Sequence, residues 1–420
     1  MLPRIIAHLD MNSYFASVEQ QANPFLRGKP IGVVATMTSH GCIIASSKEA
    51  KAKGIKTGVR VMDARRLDPN IILIPNDAAK YRSCTEGIVR VMAQYTEAIE
   101  HYSIDEAFLD LTGFVRSYDE ASSMMEHVRR GIQREVGSWL QCSIGISPTR
   151  WLAKFAGDTA PKGETLIIHR DNLAEHLDPR ALTDAWGIAS ALERRLQALG
   201  IFTLGDLRRY PVMNLMQALG VRGYELWANM NGIEYGGVPE PRLPKSIGHS
   251  HVFAKRATSD AYPRAVLAKL CEKAGRRLRK FGMEAGGVWV SYGLPDWASE
   301  RYGSGGGGAQ LFPEPVTDTQ DIYRACWSAI QRDLPRGVWP NFLAMSLFRL
   351  RPTSRQLALW SKGKKDMSAL AKALDRVNNK YGDFTVTRGT FWGLDKDDAP
   401  DRAGFRKTPV FDRNSGSFAW

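Results

Sequence analysis

Two short acidic segments carry the chemistry available to this chain. His8-Leu9-Asp10-Met11-Asn12-Ser13-Tyr14-Phe15-Ala16-Ser17-Val18-Glu19 puts Asp10 at the end of an apolar run, and Tyr102-Ser103-Ile104-Asp105-Glu106-Ala107 sets Asp105 and Glu106 between two apolar runs. Carboxylates are hard oxygen donors that suit Mg²⁺. Two such ions about 3.5–4 Å apart can lower the pKa of an attacking hydroxyl and steady a leaving pyrophosphate, as phosphoryl transfer from a nucleoside triphosphate requires. Any one of the three carboxylates alone reads as a helix cap or a turn residue. Together, in two motif-like segments, they point to nucleotidyl transfer.

The surrounding pattern supplies elements to hold them. Arg4–Asp10 reads as a buried strand, followed by a helix over Tyr14–Gln21. Gly28–Pro75 reads as an insertion, with strands at Ile31–Val34 and Ile71–Ile74 around a helix near Ser47–Lys53. Ala98–Ser103 and Ala107–Leu111 form a hairpin with Asp105-Glu106 at its tight turn. A helix over Glu120–Glu135, a strand over Gln141–Ile146 and a helix over Thr149–Gly157 follow. Strand, helix, strand, strand, helix, strand is the ferredoxin-like order, a fold that many unrelated functions use.

From Asp184 the pattern turns helical in short pieces joined by glycine turns, Trp186-Gly187-Ile188, Ala191–Leu199 and Gly200–Leu207, then Leu219–Gly223 leading into a helix with Tyr224 and Trp227. Such turns are helix-hairpin-helix candidates, whose backbone N–H groups can hold a DNA phosphate without reading sequence; a plain helical bundle is the alternative. Gly236–Pro241 is a linker. Strands at Val288–Tyr292 and Ala344–Leu350 with helices at Pro263–Phe281 and Asp321–Asp333 suggest a second α/β domain, in which Gly305–Gly308 reads as an exposed loop. After Pro352 the chain is polar, with one helix near Met367–Tyr381, and its last fifteen residues are expected to be loosely ordered.

At 420 residues the chain should hold roughly three or four domains. A 44% hydrophobic and 24% charged composition fits a globular protein, and no apolar run reaches the ~20 residues that span a bilayer. With no signal-peptide core, the cytoplasm is the default location. Cys42, Cys84, Cys142, Cys271 and Cys326 are scattered, against both a zinc site and a disulfide framework. Of the net charge of +13, residues 241–360 contribute +9, from 18 Lys or Arg against 9 Asp or Glu. That patch suits a polyanion; a solvated basic face is the alternative.

The two acidic segments resemble the first and second catalytic motifs of the Y-family, or translesion, DNA polymerases, and Trp151-Leu152-Ala153-Lys154-Phe155-Ala156 is similar to the family's segment after the palm. The resemblance covers about residues 1–360. Asn12 and Tyr102–Phe108 look closest to the UmuC type, with DinB-like features. The family implies a multi-domain α/β right hand: a ferredoxin-like palm (1–22 and 78–166), small fingers (23–77), a helix-hairpin-helix thumb (167–238), an α/β little finger (243–351) and a tail (352–420).

By this resemblance Asp10, Asp105 and Glu106 are catalytic and hold two Mg²⁺ ions with the Met11 carbonyl. Phe15 is the steric gate that fills the space of a ribose 2′-hydroxyl, and Tyr14, Phe15, Ala45, Lys48, Lys51 and Lys154 bind the nucleotide. Lys48 and Lys51 stand where the family commonly has Tyr and Arg, so a point charge replaces a bidentate fork. Pro161-Lys162 inverts the family's usual order. Lys245, Lys255, Arg256, Arg349 and Arg351 are the expected DNA contacts. Gln356, Leu357, Leu359 and Trp360 resemble a sliding-clamp-binding peptide. The implied partners are primer-template DNA, deoxynucleoside triphosphates, the clamp and accessory SOS proteins, with no membrane. A non-catalytic scaffold derived from such a polymerase should have lost one of the three acids, and all are present. A nucleotidyl cyclase sharing the palm topology is disfavoured by the thumb-like hairpins and the basic C-terminal half.

Overall fold

Alternation decides how the first strand is used. Ala7, Leu9 and Met11 enter the main core, while Ile6 packs on the opposite side against Phe108 and Ala153; His8 and Asp10 share that second face by the two-residue period of a strand. The computed structural model describes residues 4–38, 41–235, 243–253, 255–353, 368–391, 393–394, 398–399, 410–412 and 417–419. The chain divides into two compact units, 1–240 with 402–420, and 241–401.

The first unit runs β1 (Ile6–Met11), α1 (Tyr14–Ala22), β2 (Ile31–Val34), β3 (Ile43–Ser46), α2 (Lys48–Ala52), α3 (Val61–Leu67), β4 (Ile72–Pro75), α4 (Ala78–Met92), β5 (Ile99–His101), β6 (Glu106–Asp110), α5 (Tyr118–Glu135), β7 (Cys142–Ser147), α6 (Arg150–Thr159) and β8 (Thr165–Ile167). Helices α7 (Leu173–Leu177), α8 (Ser190–Gln197), α9 (Leu204–Arg209), α10 (Val212–Leu219) and α11 (Val221–Met230) follow. The main sheet has the order β5-β6-β1-β7-β8, in which the first four strands keep the ferredoxin-like arrangement, and β3-β2-β4 form a separate small sheet from the insertion. Helix α4, and the strand and helix β3 and α3 within the insertion, escaped the sequence reading. Glu106 is not in the hairpin turn as expected: it opens β6, because its backbone already pairs opposite Asp10.

Helix α6 lies on the second face of the sheet. Thr149 caps its start by accepting from the Leu152 N–H at 3.2 Å. Gly145 on β7 lets it come close, since a Cβ there would sit 2.0 Å from the Ala153 carbonyl oxygen. Arg150 then joins several segments. Its guanidinium makes two bonds to Glu100 (2.7 and 2.5 Å) and lies 4.2 Å over the Phe108 ring, with Tyr102 and Trp186 beside it, while its backbone N–H donates to Glu234.

The second unit holds β9 (Ile247–Val252), α12 (Ala261–Lys280), β10 (Met283–Gly293), α13 (Asp296–Tyr302), β11 (Gly305–Val316), α14 (Thr319–Asp333), β12 (Phe342–Pro352) and α15 (Ser368–Tyr381). Its sheet has the order β11-β10-β12-β9, with Val288, Val290, Leu343, Met345 and Leu347 packed against Val266, Leu270, Ala274 of α12 and Ile322, Cys326, Ile330 of α14. Gly305–Gly308 is strand and not an exposed loop: these residues pair with Gly293–Val290. Only glycine fits so closely, because a Cβ at Gly307 would lie 2.2 Å from the Val290 carbonyl oxygen, and its φ is 126°.

The segment after residue 367 covers α12. Arg279 donates to both Asp375 oxygens (2.6 and 2.8 Å) and contacts Glu272 at 3.3 Å. Arg276 pairs with Asp383 at 2.8 Å, Lys273 donates to the Ala399 carbonyl at 2.7 Å, and Lys269 donates to the Asp398 carbonyl. Part of the positive charge counted toward a polyanion is therefore spent inside the unit. Near the C-terminus β13 (Val410–Asp412) and β14 (Ser417–Ala419) pair antiparallel, where loose order was expected.

Candidate active site

Strand pairing assembles the acids. Asp10 on β1 stands opposite Glu106 on β6 and Ser143 on β7. The Met11 N–H donates to the Asp105 carbonyl at 3.0 Å, which brings the end of the turn onto the end of β1. Each side chain then takes its own partner: the Ser103 hydroxyl lies 2.5 Å from Asp105 Oδ1, and Glu106 Oε2 receives Lys154 Nζ at 2.7 Å and His8 Nε2 at 3.2 Å. Lys154 also reaches Asp158 at 3.1 Å.

The electrostatics split the three. Enclosure by protein, then Asp105 and Glu106, push Asp10 up to about 8. Burial, with Glu106 adding to it, raises Asp105. Burial acts upward on Glu106 as well, yet the His8 hydrogen bond and the Lys154 ammonium outweigh it and hold that carboxyl down at about 2. Burial lowers His8, keeping it neutral, and Asp158 and Glu106 raise Lys154 against burial. Among the described residues no three His, Cys, Asp or Glu side chains already stand as a closed metal-binding group, because Asp105 and Glu106 are turned toward Ser103, His8 and Lys154. The donor set nonetheless fits Mg²⁺: hard oxygens from adjacent strands, with Asp10 and Asp105 raised first by burial and then by neighbouring carboxylates, which Lys154 does not offset.

Around the acids, Phe15 is buried and stacks on Tyr81 with centroids 4.4 Å apart. Tyr14 is buried too, and its hydroxyl is committed to α4, donating to the Tyr81 carbonyl at 2.9 Å and lying 2.7 Å from Thr85 Oγ1. Ala45 is buried in β3 opposite Val33. Lys51 bonds Ser13 Oγ at 2.7 Å, and its charge is close enough to Lys162 and Asp10 to feel both. Despite the inverted Pro161-Lys162 order, Lys162 lies close enough to Asp10 for its charge to act on that carboxyl. Lys48 lies apart from them, 5.5 Å over the Trp139 ring that Arg27 also covers. Lys154 is brought to Glu106.

In the second unit Lys245 and Arg349 are exposed, Arg351 pairs with Glu284 at 2.6 Å, Arg256 lies over Trp297, and Lys255 lies over Tyr262 and 3.7 Å from Asp398. Gln356, Leu357, Leu359 and Trp360 lie outside the described residues. The sequence reading missed His8, Tyr81 and Asp158 as site residues. The signal for His8 was its two-residue spacing from Asp10; Tyr81 and Asp158 offered no local signal.

The impB/mucB/samB family model matches residues 9–158, and the model of that family's C-terminal domain matches residues 244–359. The chain is similar to DNA polymerase IV of Pelotomaculum thermopropionicum, 32% identical over 388 residues that cover 90% of this chain and 93% of that protein. It is similar to DNA polymerase IV of Moorella thermoacetica at 33% identity, with 90% and 94% covered, and to DNA polymerase IV 1 of Bacillus subtilis at 31%, with 92% of each covered. Among solved structures, a Y-family DNA polymerase chimera of Dbh and Dpo4 matches 83% of this chain and 100% of its own with a TM-score of 0.71 and 21% identity, a likeness of fold.

Proposed function

The chain belongs to the Y-family of translesion DNA polymerases, and from that premise we propose that it extends a primer 3′ end opposite damaged template bases by two-metal nucleotidyl transfer, with low fidelity and no proofreading. It is a DNA-directed DNA polymerase, and its similarity to DNA polymerases IV supports the DinB-like features of the chain. The observation that carries the reading is the register of Asp10 opposite Glu106, with Asp105 bonded through its carbonyl to the next residue of β1.

In this reading Asp10, Asp105, Glu106 and the Met11 carbonyl hold two Mg²⁺ ions, which when bound would activate the primer hydroxyl and neutralise the leaving pyrophosphate. Phe15, kept in place by Tyr81, excludes a ribose hydroxyl. Lys51 and Lys162 neutralise the triphosphate as point charges. The domains follow the boundaries given above, with the five-stranded sheet as palm and the four-stranded sheet as little finger. Primer-template DNA and deoxynucleotides are substrates; a sliding clamp engaged through Gln356–Trp360, accessory SOS proteins and a cytoplasmic location belong to the same proposal. No described helix is long and apolar enough to cross a membrane.

The test is primer extension on plain and lesion-bearing templates. Asp105→Ala is expected to abolish extension and leave DNA binding within a few-fold of wild type, because the basic surfaces remain. Extension within tenfold of wild type sinks the assignment.

A further inference from the structure

Three side chains outside the acidic triad meet on the α6 face of the palm sheet. His8 is fully buried, and its Nε2–H donates to Glu106 Oε2 at 3.2 Å. Lys154, also buried, donates to the same oxygen at 2.7 Å and is itself steadied by Asp158 at 3.1 Å. Glu106 Oε1 accepts no hydrogen bond among the described residues. Two buried donors on one carboxylate oxygen and none on the other is an orientation, not only a neutralisation.

The backbone is shaped for this. His8 Nδ1 is buried with no hydrogen-bond partner, so the ring gives its one N–H to Glu106. A Cβ at Gly157 would lie 2.7 Å from that Nδ1; glycine there leaves the ring its place. Together with Gly145, it brings α6 near enough to β1 for Lys154 to reach Glu106. A histidine used only as core filling would not need its tautomer fixed on a catalytic carboxylate.

We infer that His8 and Lys154 are positioning residues for the metal site: they pin Oε2 of Glu106 so that Oε1 is the oxygen offered to a divalent cation. The inference rests on the two-metal reading of Asp10, Asp105 and Glu106. Second partners of metal-ligating groups usually contribute about 10- to 100-fold to metal affinity, and the same range is expected here.

The experiment uses the full chain with Mn²⁺ as probe, free ion being measured by electron paramagnetic resonance, beside the Mg²⁺ dependence of primer extension. Lys154→Met keeps the length of the side chain without its charge; it should weaken Mn²⁺ binding about tenfold or more and raise the half-saturating Mg²⁺ in step, with DNA affinity unchanged. Lys154→Arg, which retains a donor, should recover most of the loss. His8→Phe should act in the same direction, and if it fails to fold, the two Lys154 variants decide alone. Asp105→Ala is the reference. If Asp105→Ala loses Mn²⁺ while folded Lys154→Met binds it within twofold of wild type, this inference is overturned and the metal reading stands. If Asp105→Ala itself binds as wild type does, both fall.

Discussion

Replacing Asp375 with alanine should release α15 from the second unit. The Asp375 carboxylate receives both arms of the Arg279 guanidinium, at 2.6 and 2.8 Å, and Arg279 keeps only 9% of its side-chain surface. Removing one partner of a buried pair costs ~3–5 kcal/mol, chiefly because a charge is left unmatched. Two features reduce that here: Asp375 is less enclosed than Arg279, and Glu272 still contacts Arg279 at 3.3 Å. The expected loss is therefore about 2–3 kcal/mol, which raises the population of the detached segment roughly 30- to 150-fold at 1.36 kcal/mol per decade. Native-state amide hydrogen exchange on the full chain reads this directly. Amides of Ser368–Tyr381 should exchange faster by that factor while those of β1 and α5 stay unchanged. The joint Arg279→Met, Asp375→Leu variant should regain most of the protection, since apolar replacement of both partners leaves no stranded charge. Exchange in α15 within threefold of wild type would refute the account of the tail as part of this unit.

Asp10→Asn should abolish extension yet stabilise the metal-free fold in alkali: with Asp10 at about 8 when folded against an ordinary 3.8, its contribution to stability is full below the unfolded value and is lost as pH rises through the folded one. Melting temperatures should therefore fall from about pH 4 to pH 8 for the wild type, fall less steeply in the variant, and recover near pH 8 on adding Mg²⁺ to the wild type. Gly145→Ala should cost ~3 kcal/mol or more, because the new Cβ meets backbone atoms of α6 that cannot yield; thermal denaturation checks it. Phe15→Ala should lower the preference for deoxynucleotides at least about tenfold, corresponding to about 1.4 kcal/mol, in single-nucleotide extension. Leu359→Ala with Trp360→Ala should leave clamp-free extension intact and remove stimulation by a sliding clamp, since losing such anchors costs about 2 kcal/mol or more each.

Local pattern made Asp10, Asp105 and Glu106 legible. A strand that ends in a carboxylate and a turn between apolar runs both announce themselves over a few residues, as does the helix read over Asp321–Asp333, which begins two residues earlier at Thr319. What remained hidden depends on distant pairing. Tyr81 sits in a helix whose periodicity passed unread, and only the fold stacks it on Phe15. Resemblance alone places Lys154 at the site, and its spacing from Asp10 says nothing of the Glu106 side chain 2.7 Å away. The charge count over residues 241–360 treated Lys269, Lys273, Arg276 and Arg279 as surface cations, whereas their partners lie beyond residue 367. Gly305–Gly308 misled in the opposite sense: composition suggested a loop where a strand runs, and at Gly305 and Gly307 its close approach to β10 leaves no space for a side chain.

Arg150 gives the first unit a fastener shared by two jobs. Glu100 and Phe108, which it grips, flank the hairpin turn that ends in Asp105, and Trp186 and Glu234, which close around it, come from the helical part that follows the sheet. The acidic turn and the helical segment are in this sense bolted together at this residue, beside the apolar core in which Trp151, Leu152 and Phe155 pack with Leu177 and Leu226. Strain arriving at one side reaches the other across this side chain, so the packing of the helical segment and the alignment of the carboxylates are traits that selection must tune jointly at this position.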